Sequence, residues 1–389
     1  MSTVLAPDPT RPPLLAHARR ATGLVPDLDS TYEVSMDNDR ALRRWLYATM
    51  VAVLVALVVG GATRLTESGL SITVWKPVTG VLPPLTDADW QGAYSKYLAI
   101  PEAQTVHAGI TLEGFKRLFW WEWVHRLLAR IVGLVIAVPY FWLLWRGRIR
   151  PSLRLRLSNL PILVTLQGVL GWYMVQSGLS VRTSVSQYRL TAHLSLAVVI
   201  YVLAAWTALR LRPGTADGER QRTPHRGALL LSVVVVLVIV SGGFVAGLDA
   251  GMIFNTFPLM GGRVVPDGYG QLMPWWRNWF ENPVAAQFNH RVLAVGTAAF
   301  ALWLAASRRR ALRRAAPHHA ERRAWGWVIV AVAAQLSLGV ATLLLHVPIS
   351  IAALHQLGAL ALLTAALAAA ATDTGPIAEP SEVLTQEAA

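Results

Sequence analysis

The hydrophobic positions of this chain fall into eight long runs separated by polar segments. Each run is close to the roughly 20 residues that cross a lipid bilayer as a helix. Because lipid cannot satisfy an exposed backbone, such runs favour complete helices. The pattern predicts an all-α membrane protein with eight transmembrane helices, over residues 43–63, 122–145, 159–178, 190–210, 228–247, 288–306, 325–345 and 350–371.

Three of the connecting loops are dense in arginine. They follow the second, fourth and sixth runs and read RGRIRPSLRLRL, RLRPGTADGERQRTPHR and SRRRALRRAAPHHAERR. Short basic loops remain on the cytoplasmic side of a membrane. We therefore expect both termini in the cytoplasm, with disordered polar tails over residues 1–42 and 372–389.

The chain also repeats itself. An N-terminal half over residues 43–212 and a C-terminal half over 228–371 are joined by a cytoplasmic linker, 213–227. Short features recur in the same order in the two halves: Gly60-Gly61 and Gly242-Gly243, His125-Arg126 and His290-Arg291, the segments that begin at Gln167 and Gln335, and His193 and His355. Four spans per half give both copies one orientation, which predicts two parallel four-helix repeats about a pseudo-two-fold axis along the membrane normal.

Composition narrows the chemistry. Hydrophobic residues make up 54% of 389 positions and charged residues only 15%, which is too apolar for a soluble domain of this length. The net charge of +13 comes largely from the cytoplasmic loops, so we expect no nucleic-acid partner. The chain has no cysteine, which excludes disulfides, iron–sulfur clusters and cysteine-ligated haem. Histidine is then the best available ligand for a transition metal.

Four histidines lie near the outer ends of the even-numbered runs, at matching places in the two halves. They are His125 and His193 in the first half, and His290 and His355 in the second. A bundle that repeats a pair of buried imidazoles predicts two metal-centred cofactors, most simply two haems held axially. We expect the other histidines to be solvated: His17, His107, His225, His318, His319 and His346.

The two halves differ in one acidic residue. Glu122 precedes His125 by three residues and shares its helix face, whereas Gln287 holds the corresponding place before His290. The difference predicts chemistry at the first centre and electron storage at the second, although Glu122 pairing only with Arg126 would also fit. Arginines near the outer ends could bind haem propionates or anchor the interface: Arg64, Arg126 and Arg291.

At this point the chain resembles the haem A synthase family, in its alphaproteobacterial and mitochondrial form. The specific stretches are GGATRLTESGLSITVWKPVTGVLPP at 60–84, FKRLFWWEWVHRLLAR at 115–130 and NTFPLMGGRVVP at 255–266, together with FNHR and ALHQ. The likeness spans residues 43–371. Some bacterial members have a cysteine pair in an outer loop, and thiol-dependent electron delivery of that kind cannot operate in a chain without cysteine.

The resemblance implies oxidation of the C8 methyl of haem O to a formyl group through the alcohol, giving haem A for terminal oxidases. His125 and His193 would ligate the substrate haem, with Glu122 at its reactive edge. His290 and His355 would ligate the iron of a permanent haem b. The resemblance implies a role in cytochrome oxidase assembly, with haem O synthase and an unidentified electron donor as candidate partners. It is also compatible with an oligomer of this chain.

Two other functions share these features. A dihaem b-type electron-transfer protein linked to quinone would use the histidines but gives no reason for a glutamate in one half only. A transporter of two parallel repeats would bind no haem. The bias toward arginine over lysine and the short tail favour a bacterial inner (plasma) membrane over a mitochondrial inner membrane.

Overall fold

A computed structural model describes residues 28–180, 182–211, 224–313 and 319–372. Regular structure in these ranges is helical, apart from one isolated bridge between Met260 and Arg263. Eight of the helices are long: α1 (Leu28–Leu65), α4 (Leu112–Trp145), α5 (Pro151–Gln176), α6 (Gln187–Arg210), α7 (Arg226–Gly247), α9 (Pro283–Arg313), α10 (His319–Leu344) and α11 (Ile349–Ala370). Three are short: α2 (Asp87–Leu98), α3 (Pro101–Thr105) and α8 (Asn278–Glu281).

Seven of the long helices are long and apolar enough to cross a membrane, among the residues described. The exception is α5, which contains the third apolar run of the sequence. Its apolar stretch is interrupted by Asn159, Pro161 and Gln167, and two arginines precede it in the same helix. Hydropathy is therefore weaker in α5 than in its neighbours, although its 26 residues are sufficient in length.

The first helix begins earlier than the hydropathy pattern predicts. Residues 28–42 were expected to belong to a disordered tail, but α1 already starts at Leu28. Asp39 is 1% exposed and pairs with Arg150 at the start of α5, at 3.0 Å. Leu42 is fully buried. Tertiary contacts thus stabilise a helical extension that is too polar to be recognised as a span. Residues 1–27, 212–223 and 373–389 of the expected tails and linker lie outside the described residues.

The long helices pack in two groups of four. In the first group α1 and α5 each contact both α4 and α6. In the second group α7 and α10 each contact both α9 and α11. The groups meet where α6 packs on α7, where α1 packs on α11, and where α6 touches α11. The two histidine-bearing helices of each group therefore stand on opposite sides of it, with the other two helices between them.

A short amphipathic helix covers the outer end of α4. The sequence TDAD predicts a capping box, and the box is present: Thr86 accepts from the backbone of Asp89, whose side chain accepts from the Thr86 backbone. From this start α2 places Trp90 edge-on against Phe119, with ring centroids 5.0 Å apart. Tyr97 stacks beside Phe115 and is fully buried. The helix is therefore docked on the bundle through its aromatic face.

Candidate functional site

Each of the four predicted histidines lies against a glycine on a neighbouring helix. A Cβ atom added at Gly60 would be 2.6 Å from Cε1 of His125, and one at Gly242 would be 3.2 Å from Cε1 of His290. The same holds for the remaining two contacts, at 2.9 Å each: Gly171 with His193 and Gly339 with His355. Because a methyl group would intrude on every ring, these glycines allow the imidazoles to be set close to the adjoining helix.

The histidines are grouped as the sequence predicts. His193 is close enough to His125 for the two rings to interact electrostatically, and His290 has the same relation to His355. Gln167 donates to the backbone oxygen of His193 at 3.0 Å and lies 3.3 Å from its Nε2. The structure thus brings together one pair of imidazoles in each four-helix group.

In each ring Nδ1 is nearer than Nε2 to the glycine-bearing helix. Nδ1 of His290 lies 2.8 Å from the Ser241 hydroxyl, and backbone groups of Ala56 and Gln335 act on His125 and His355. A histidine that binds a metal through one ring nitrogen usually gives the other nitrogen to a partner of this kind. The residues described contain no cluster of three or more histidine or acidic side chains that could hold a bare metal ion. A paired-imidazole site fits a haem, whose porphyrin supplies the other iron ligands.

Glu122 is buried and its carboxylate accepts four hydrogen bonds. One oxygen accepts from the Ser71 hydroxyl and from the Ile72 backbone, each at 2.7 Å. The other accepts from Nε and Nη2 of Arg126, at 3.0 and 2.6 Å. Glu122 is 2% exposed, and its four donors replace the water that a buried carboxylate lacks. The carboxylate therefore has a fixed position one helical turn before His125.

Two arginines hold the outer loops by their backbone oxygens. Arg126 donates to the carbonyl of Ile72 at 2.7 Å, and Arg291 donates to the carbonyl of Phe254 at 2.6 Å. In the second half Gln287 also donates to Phe254, at 3.0 Å. The arginines and the loops are thus arranged alike in both halves. Only the first half places a carboxylate beneath the loop.

The third arginine joins the two halves. Arg64, at the outer end of α1, donates to Asp249 in the loop after α7, at 2.5 Å. Nε of Arg64 and Nε of Arg291 are buried without a partner. Both guanidinium groups therefore retain a donor that faces the interior, in addition to the contacts that fix them.

The remaining histidines are not all solvated. His319 and His346 are exposed, as expected, whereas His17 and His318 lie outside the described residues. The prediction was wrong for His107, whose Nδ1 is 2.6 Å from the Tyr97 hydroxyl, and for His225, which accepts from the Ala228 backbone at the start of α7. The sequence reasoning also missed Ser71 and Ile72, since their role depends on a loop that returns to a helix some fifty residues away.

The chain is similar to known proteins over most of its length. The chain is 47% identical over 335 residues to a heme A synthase of Rhodopseudomonas palustris, covering 84% of this chain and 87% of the relative. It is 43% identical over 358 residues to a heme A synthase of Sinorhizobium medicae, covering 91% and 95%. A heme A synthase of Nitrosospira multiformis is 45% identical over 331 residues, covering 83% and 90%.

A family model also matches most of the chain. It describes the cytochrome oxidase assembly proteins of the COX15-CtaA type and matches residues 43–367. That range runs from the apolar part of α1 into the last turn of α11, and it includes all four histidines and Glu122. The chain therefore belongs to the COX15-CtaA family of cytochrome oxidase assembly proteins.

Proposed function

We propose that this chain is a haem A synthase, an oxidoreductase that converts haem O to haem A by oxidising the porphyrin C8 methyl to a formyl group through the alcohol. Relatives of that name align with most of its length. The structural observation that carries the proposal is Glu122, a buried carboxylate in the first half only, one turn before His125. A dihaem protein that merely passes electrons to quinone needs no such acid in one half, and a transporter needs no haem.

The fold that we propose is eight transmembrane helices in two parallel four-helix repeats, related by a pseudo-two-fold axis along the membrane normal. The matching order of helix contacts in the two groups supports it. So does the place of two glycines between the halves: a Cβ added at Gly61 would meet Gln356 on α11, and one added at Gly243 would meet Thr191 and Leu194 on α6. Gln356 and Leu194 each follow a candidate histidine directly.

Residues 43–212 would form the half that binds the substrate, with His125 and His193 ligating haem O. Residues 228–371 would hold a permanent haem b on His290 and His355. The pairing of two rings in each half and the glycines that seat the rings support both assignments. When bound, haem iron supplies the one-electron redox chemistry that an amino-acid side chain cannot.

Oxidation of the methyl group develops positive charge at a carbon atom on the porphyrin edge. A carboxylate fixed by Ser71, Ile72 and Arg126 needs no rearrangement to stabilise that charge. The surrounding bundle excludes water, which strengthens the interaction. Propionates at the outer end of the haem would meet Arg64, Arg126 and Arg291, of which Arg64 and Arg291 have a buried unpartnered Nε.

The decisive experiment compares Glu122→Gln and Glu122→Ala with Gln287→Ala, which changes the same position in the other half. Purified proteins are supplied with haem O, and the extracted porphyrins are identified by mass. We expect both Glu122 variants to retain their Soret absorption and to form aldehyde about 100-fold more slowly or worse. Gln287→Ala should form haem A at close to the wild-type rate. Wild-type protein that returns only unaltered haem would exclude the synthase assignment.

The location of the protein and the sides of its termini can be proposed from the same loops. We place the protein in the bacterial inner membrane with both termini in the cytoplasm, because the arginine-dense loops all follow even-numbered apolar runs of the sequence. We propose haem O synthase and an unidentified electron donor as partners. Co-purification with haem O synthase in mild detergent would test the first partner, and the same preparation would report any oligomer.

A further inference from the structure

A second buried glutamate lies on the outer side of the first half. Glu102, in the short helix α3, is 5% exposed, and its Oε2 has no hydrogen-bond partner. Burial, followed by the charges of Glu122 and Glu67, raises the pKa of Glu102 to about 8. Arg64 and Tyr97 act in the opposite direction. An acid with a pKa near ambient pH can both take up and release a proton, which is what a proton carrier requires.

A series of neighbouring proton-exchanging groups, not all in direct hydrogen-bond contact, leads from Glu102 to the surface. The Tyr97 hydroxyl neighbours the Glu102 carboxyl and lies 2.6 Å from Nδ1 of His107. Nε2 of His107 lies 3.8 Å from the Glu67 carboxylate, which is 49% exposed. Burial raises the pKa of Tyr97, so its hydroxyl stays protonated and passes a proton only by accepting another.

Glu122 itself is a poor carrier. Its oxygens are occupied by Ser71, Ile72 and Arg126, so a proton on Glu122 would displace a donor. Its charge nevertheless acts on Glu102, which places the two acids in one electrostatic unit. The fixed acid can stabilise charge at the substrate while the unpartnered acid accepts the proton.

We propose that Glu102 takes up protons released at the Glu122 end of the first-half site and passes them through Tyr97 and His107 to Glu67 at the outer surface. The proposal rests on the proposed function. Conversion of the alcohol to the aldehyde removes two electrons and two protons from the CH2OH group. The electrons leave to a one-electron acceptor of the haem class, and the protons leave one at a time through Glu102.

The experiment uses full-length protein carrying Glu102→Gln, Glu102→Asp or Tyr97→Phe, with Glu113→Gln as control. Glu113 is an exposed glutamate on α4 whose side chain is 76% exposed. Haem A formation from haem O is followed as a function of pH and in heavy water. Infrared difference spectra of each protein, recorded without haem O, follow the protonated carboxyl band across the same pH range.

Glu102→Gln and Tyr97→Phe should each slow haem A formation about tenfold or more and enlarge the solvent isotope effect. The wild-type rate should rise with pH and level off above about 8, as Glu102 ionises, and Glu102→Gln should lose this limb. Glu102→Asp should recover most of the rate. The infrared band that titrates near pH 8 should vanish in Glu102→Gln and persist in Glu113→Gln.

Three results would overturn the relay. They are wild-type rates in Glu102→Gln, a wild-type rate and isotope effect in Tyr97→Phe, and a titrating band that survives in Glu102→Gln. Each leaves the synthase assignment intact as long as wild-type protein makes haem A, so the two proposals fail separately.

Discussion

Replacement of Gly60 by alanine should remove the haem of the first half while leaving that of the second. The added Cβ would lie 2.6 Å from Cε1 of His125, which is 0.8 Å closer than the 3.4 Å at which ordinary contact begins. Ligand distances in metal sites tolerate only about 0.2 Å. The ring cannot keep its place at that distance, and we expect it to leave its coordinating position.

The matched substitution in the other half is Gly242→Ala. There the added Cβ lies 3.2 Å from His290, only 0.2 Å short of ordinary contact, so a small shift restores the packing. Replacement of a glycine by alanine inside a helix otherwise stabilises that helix by about 1 kcal/mol. Gly133→Ala, on the same helix as His125 with nothing within 4 Å of the added atom, controls for that gain.

The assay is the visible spectrum of each purified variant, followed by extraction and mass identification of its porphyrins. Gly60→Ala should retain haem b and lose haem O and haem A, whereas Gly242→Ala and Gly133→Ala should retain both haem types. If Gly60→Ala keeps the wild-type haem content, His125 does not need its place beside Gly60 to bind iron. If Gly242→Ala loses more haem than Gly60→Ala, the distance between the added Cβ and the histidine ring does not determine haem loss.

Three further predictions address separate parts of the chain. His290→Ala and His355→Ala should each abolish the stable haem b absorption of the purified protein, and retention of that band would reassign the second site. Thr86→Ala removes the capping box with Asp89 and should lower the stability of α2 by about 1 kcal/mol. Backbone hydrogen exchange over residues 87–98 should then be faster, and unchanged exchange would mean that aromatic docking alone holds the helix. The folded chain binds a proton at Glu102 more tightly than the unfolded chain, so the stability of the wild-type protein should fall as pH rises from 4.5 to about 8. In Glu102→Gln the Tm should depend less on pH over the same range. An equal dependence of Tm on pH in both proteins would contradict the raised pKa of Glu102.

Hydropathy predicts most of the long helices, because burial in a membrane requires long apolar segments, and spacing pairs the four histidines as the structure does. Hydropathy fails at the start of α1, where Asp39 and Arg150 stabilise a helix through a contact between distant residues. It fails also at Glu102. The segment PEAQT is polar and resembles an exposed loop, so only the packing of α2 and α3 shows that its glutamate is buried.

The backbone contacts of Arg126 and Arg291 have an evolutionary consequence. Both guanidinium groups recognise peptide oxygens, at Ile72 and at Phe254, and make no demand on the side chains there. Substitutions in either loop can accumulate without loosening its attachment to the bundle. Each loop can therefore change its side chains independently of the other, as the different partners of Glu122 and Gln287 illustrate.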